Sequence, residues 1–151
     1  MIKFRGVPLD DYSHDANVDF DGTFIYGNYE KVGDDVLISS GKFDLEGVSV
    51  PDLFAKVDPK TVGQFTGLKD INGKEIYEND IIHFGSIWCV GDECDPREEE
   101  HIGAVKYRTD CASYEVNCNG QIFPLMEVIN FDGYSVQGNV HENPDLLEED
   151  K

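Results

Sequence analysis

The sequence predicts an all-β protein, mainly antiparallel, with few short helical turns. Two observations carry that expectation. Short runs of alternating or β-branched residues recur along the chain, whereas helical periodicity is scarce. Turn residues separate the runs, and 15 glycines are enough to punctuate a sheet. The hydrophobic fraction of 40%, with 9 Phe and 7 Tyr, supplies a core without staples.

Taken in order, the expected strands are Ile2–Arg5, Thr23–Lys31, Asp35–Ser40, Phe43–Val50, Asp80–Phe84, Ile102–Arg108, Ser113–Asn117 and Tyr134–Val140. Ser39, Ser40 and Gly41 read as a hairpin turn between two of these runs. Helical turns are expected at Pro51–Lys56, at Pro124–Val128, where a short strand fits nearly as well, and in the tail. There Asn143 can cap, Pro144 suits the first helical position, and Leu146 and Leu147 anchor the turn. Gly85–Glu100 reads as an insert, because charge and glycine displace the alternation.

The segment Thr61–Ile82 (TVGQFTGLKDINGKEIYENDII) has the densest turn chemistry. The Asp58–Pro59 step before it holds Asp58 extended and favours a turn after it. Gly63 and Gly67 permit positive φ or close backbone approach. Asn72 and Gly73 form the pair favoured by a two-residue hairpin turn, with Lys69–Ile71 and Lys74–Ile76 as arms. Tyr77, Ile81 and Ile82 supply core side chains, and Asn79–Asp80 makes the next corner. The spacing is not that of a phosphate-binding loop, and no helix follows to receive an anion.

VDPKTVGQFTGLKDINGKEIYENDII also resembles the signature of the YopX family of phage and prophage proteins. Lys3–Gly6 (KFRG), Gly22–Asn28 (GTFIYGN) and Ser135–Glu148 (SVQGNVHENPDLLE) extend the resemblance to both ends, leaving Gly85–Phe131 poorly matched. Asn79 departs from the family's usual turn glycine, and asparagine is the next most tolerant of a left-handed backbone. The resemblance implies one family domain over residues 1–151: an N-terminal β lobe over 1–60, a C-terminal lobe like a small SH3-type barrel over 61–142, and an acidic terminal turn over 143–151. It implies a phage-encoded accessory protein in the cytoplasm of an infected or lysogenic bacterium, and offers no catalytic residues. The motif residues Gly63, Gly67, Asn72, Gly73, Tyr77 and Asp80 are therefore read as scaffold.

Charge narrows the function classes. The formal net charge is −19, from 31 acids and 12 bases. It disfavours direct nucleic-acid binding, which needs a basic footprint, and contact with an anionic membrane. No basic-then-apolar leader opens the chain, and no apolar segment nears the roughly 20 residues that span a bilayer. A soluble, intracellular protein with reduced cysteines is expected.

No constellation satisfies a catalytic motif. His14, His83, His101 and His141 lack a recognisable nucleophile partner, and Ser113 and Ser135 sit in ordinary strand contexts. Asp10–Asp11 and Asp34–Asp35 read as solvated turns. Tyr26, Tyr29, Tyr107 and Tyr114 lack the basic groove of a single-strand binder, so packing is the better account of their rings. The leading expectation is a non-enzymatic protein without cofactor that binds an unidentified host or phage protein and forms a homo-oligomer. One alternative is an acidic, DNA-mimic-like inhibitor whose face comprises Asp92, Glu93, Asp95, Glu98, Glu99 and Glu100. Another is a zinc-stabilised module using Cys89, Cys94, Cys111 and Cys118, although the usual two-residue knuckle spacing is absent.

Overall fold

The computed structural model describes residues 3–11, 20–40, 53–90, 95–130 and 133–147. The chain divides into two compact units, Met1–Phe65 and Thr66–Lys151.

The first unit contains β1 (Phe4–Gly6), β2 (Ile25–Val32), β3 (Asp35–Ser40), β4 (Leu53–Val57) and the start of β5 (Gly63–Lys69). The strand order is β4-β3-β2-β1-β5, with antiparallel neighbours. Strand alternation builds the core. Val36 lies opposite Val57 and Ile38 opposite Ala55, and all four are buried with Ile25. Asp58 closes this part of the chain as expected. Its side chain accepts the Lys60 N–H at 3.1 Å and caps a 3₁₀ turn over Pro59–Thr61.

Two expectations for this unit are corrected. Ser39 and Ser40 are not turn residues; they lie in β3, paired with Phe54 and Leu53. Pro51–Lys56 does not form a helical turn, because Leu53–Val57 is β4. Placing Ala55 and Val57 two residues apart against β3 buries both, and that packing outweighs the local helical preference. The expected strand Phe43–Val50 lies outside the described residues.

The second unit begins within β5 and continues through β6 (Glu75–Tyr77), β7 (Asp80–Val90), β8 (Asp95–Arg108), β9 (Ser113–Cys118) and β10 (Gln121–Pro124). One turn of helix, α1 (Leu125–Val128), then precedes β11 (Ser135–Asn139) and a 3₁₀ turn over Pro144–Leu147. Its antiparallel sheet has the order β10-β9-β8-β7-β11. Ile76, Ile82, Phe84, Val105, Val116, Leu125 and Val128 form the core. At Gly103 the strands approach so closely that a Cβ would sit 2.5 Å from the Asn117 carbonyl oxygen and 2.7 Å from Cys118 Sγ.

The turn between β5 and β6 differs from the expected two-residue hairpin. Gly73 N–H donates to the Asp70 carbonyl at 3.0 Å and Asp70 N–H donates to the Lys74 carbonyl at 2.8 Å. Ile71, Asn72 and Gly73 thus form a three-residue loop, with Gly73 at φ 82°. The Asp70 carboxylate selects this geometry: its Oδ1 accepts the N–H groups of Asn72 and Lys74, each at 2.9 Å. Its other oxygen accepts the Val136 N–H of β11 at 2.9 Å. At the following corner Asn79 adopts φ 76°, the left-handed conformation expected of it.

Gly85–Glu100 is also corrected: it is not an irregular insert. β7 and β8 run through it, in register from Ile81 opposite Ala104 to Val90 opposite Asp95. In the tail, the Asn143 side chain does not cap the 3₁₀ turn. Its Oδ1 turns back to accept the Asn139 N–H at 3.3 Å, while its main-chain carbonyl accepts from Leu146. That turn lies against β8, with Leu146 and Leu147 half-buried. No helix among the described residues is long and apolar enough to cross a membrane.

Candidate functional site

The β7–β8 hairpin outgrows the sheet that holds it. β11 pairs with β7 over Asp80–His83, and β9 pairs with β8 over Ala104–Arg108. From Gly85 opposite Glu100 to Val90 opposite Asp95, the two strands have only each other among the described residues. Six residues of strand give this arm a length of about 20 Å.

A polar cluster sits at the base of the arm. Cross-strand pairing puts Phe84, Ser86, His101 and Glu99 toward one face, and His83 and Glu100 toward the other. On the first face, Ser86 Oγ lies 2.8 Å from His101 Nε2, and both residues are buried. The imidazole packs against Phe123 at 4.6 Å and Phe84 at 5.1 Å between ring centroids. Ser86 therefore satisfies a ring nitrogen that phenyl rings would leave bare. Among the described residues no carboxylate is bonded to the other ring nitrogen. On the other face, His83 Nε2 lies 3.3 Å from Glu100 Oε2, near solvent.

A concavity of about 360 Å³ adjoins the cluster, lined by His83, Glu100, His101, Ile102, Cys118, Asn119 and Gln121. Burial pushes the Cys118 thiol up to about 11, so it stays protonated and is a poor nucleophile or metal ligand at neutral pH. In the first unit, a second concavity of about 410 Å³ includes Phe4, Tyr29, Lys31 and Asp34.

Cys111 is exposed in the β8–β9 turn and Cys118 ends β9. The strand between them spans about 17 Å, too far for both to bind one zinc ion. Cys94 lies outside the described residues, and Cys89 is placed by its backbone alone, opposite Pro96. Of the acidic run, Asp92 and Glu93 lie outside the described residues. Asp95 and Glu98 are placed by backbone pairing with Val90 and Ile87. Glu99 and Glu100 are exposed, but alternation sends them to opposite faces. Among the tyrosines, Tyr107 and Tyr114 pair across strands with ring centroids 5.1 Å apart, and Tyr26 donates to Asp21.

Ser86 and His101 were not paired by sequence, because fifteen positions separate them. Only the hairpin register brings them together. Asp70 was also missed, although an aspartate two residues before Asn-Gly is a signal for a side-chain-stabilised turn.

The family profile described as "YopX protein" matches residues 15–148. The chain belongs to the YopX family. No curated protein matches it. It is similar to the crystal structure of protein EF1440 from Enterococcus faecalis, with 24% identity, a TM-score of 0.42, and coverage of 97% of this chain and 98% of that one.

Of the YopX signature residues, Asn72 and Gly73 lie in the β5–β6 turn, whereas Gly63 and Gly67 are strand residues of β5 rather than turn residues. Gly63 pairs with Arg5, Gly67 adopts φ 89°, and Gly73 closes the three-residue loop. Tyr77 and Asp80 are buried, and the Asp80 carboxylate accepts the Tyr77 N–H at 2.7 Å. Together they shape the corner from which β7 departs. In this YopX member the Tyr77–Asp80 bond thus sets the corner at the start of β7.

Proposed function

We propose that this protein is a non-enzymatic accessory protein that works by binding protein, including further copies of itself, inside a phage-infected or lysogenic bacterium. The observation that supports this reading is the arm: residues 85–90 and 95–100 form a ribbon with no sheet neighbour among the described residues. A two-stranded ribbon is marginally stable alone in water and gains from a third strand. Such an edge offers main-chain hydrogen bonds to an incoming chain. The acidic-inhibitor alternative receives less support, because Glu99 and Glu100 face opposite ways and do not form a single row.

A tagged chain expressed beside an untagged copy in infected or lysogenic cells tests the reading. The expected result is recovery of the untagged copy together with a specific second protein. Recovery of neither overturns it.

A further inference from the structure

We infer that the β7 edge of the arm, Gly85–Val90, pairs antiparallel with the same edge of a second copy of this chain. The inference rests on the self-association proposed above and names its surface. The two edges of the arm differ in chemistry. Along β8, Asp95–Glu100 carries four acids, one arginine and Pro96, which has no N–H to offer. Charge and proline are the devices that blunt an edge against strand addition. Along β7, Gly85–Val90 (GSIWCV) contains no charged residue and no proline. Among the described residues no strand pairs with its outer side, because pairing with β11 ends at His83.

A second copy is the occupant that this pattern fits. Two β8 edges brought together would set acids against acids, which is destabilising. Two β7 edges carry no such penalty. An antiparallel pair of identical strands also has the two-fold symmetry of a closed dimer, so association stops at two copies. β8 then lies on the outside of the four-stranded ribbon, where its charges oppose further growth.

The test uses the full chain. Light scattering should give a dimer at micromolar concentration. Hydrogen exchange should show the alternate amides of residues 85–90, those facing away from β8, protected in that dimer and released on dilution. Ile87→Lys should halve the mass and abolish the protection, whereas Glu99→Gln should alter neither. The exchange measurement on the unsubstituted chain stands even if Ile87→Lys fails to fold. A monomer at every concentration overturns both the edge and the self-association reading. A dimer lacking concentration-dependent protection over 85–90 overturns the edge alone. Protection that appears only when another protein is added replaces the second copy with a different partner and also overturns the inference.

Discussion

Removing the Asp70 carboxylate should destabilise the second unit more than any other single change in its β5–β6 turn. Asp70 is buried and accepts three main-chain N–H groups, from Asn72, Lys74 and Val136. In Asp70→Ala all three lose their acceptor. Asn72 and Lys74 are exposed, so water can take over, at a cost of about 0.5–1 kcal/mol each, as for a lost helix cap. The Val136 N–H is half-buried, and stranding it costs about 1–3 kcal/mol. The total is about 2–5 kcal/mol, a large share of the roughly 5–15 kcal/mol that holds a domain together. Asp70→Asn can keep its oxygen on the turn and present its amide nitrogen to Val136. It loses only the third bond, about 1–3 kcal/mol. Urea unfolding followed by fluorescence of Trp88, the only tryptophan and a member of the same unit, measures both variants. An Asp70→Ala protein within about 0.5 kcal/mol of the parent would refute the reasoning, as would an Asn variant no more stable than Ala.

Other positions give sharp contrasts. Gly103→Ala should cost about 1–3 kcal/mol in urea unfolding, because its Cβ meets the Asn117 main chain of β9 as well as Cys118 Sγ, and the main chain cannot swing aside; an unchanged midpoint would show that β8 and β9 separate freely. Asn79→Gly should lie within about 0.5 kcal/mol of the parent, whereas Asn79→Ala, forced to φ 76°, should lose about 1–2 kcal/mol. In the folded chain, Cys111 should react rapidly with a thiol reagent and Cys118 slowly; equal rates by peptide mass mapping would contradict the burial of Cys118. The pH sign follows from the same burial. The folded Cys118 thiol holds its proton up to about 11 against an ordinary 9.0, so its contribution is intact below 9.0 and is lost as pH climbs toward 11. Thermal melts of Cys118→Ala across that window should show a flatter alkaline loss than the parent.

Where a strand has one buried face, the sequence made it legible. Asp35–Ser40 was read at its observed bounds because Val36 and Ile38 alternate toward a core. Pro124–Val128 was legible only as a helical turn or a short strand; the structure has α1 there, with Leu125 and Val128 three apart and both buried. Pro51–Lys56 was misread because only its partner strand β3, distant in sequence, decides that Ala55 and Val57 face inward. The Asn-Gly turn was found but counted one residue short, because the deciding group is the Asp70 side chain rather than the dipeptide.

The arm was illegible for a reason that bears on its use. Alternation appears in a sequence only when burial distinguishes two faces. A ribbon that has left its sheet has no such requirement, so GSIWCV and DPREEE carry no period of two and look like an insert. The contrast that survives there lies between strands: one edge bears acids and a proline, the other bears neither. Selection for folding alone gives no reason to protect one edge and leave its neighbour bare, since both edges of a free ribbon expose the same main-chain groups. If the β7 edge is reserved for a second copy, transferring the blunting chemistry to it should abolish assembly while leaving the Asp70-held unit as stable as before. Ile87→Lys thus separates association from folding, and a variant that lost both together would place the arm in the fold's own stability instead.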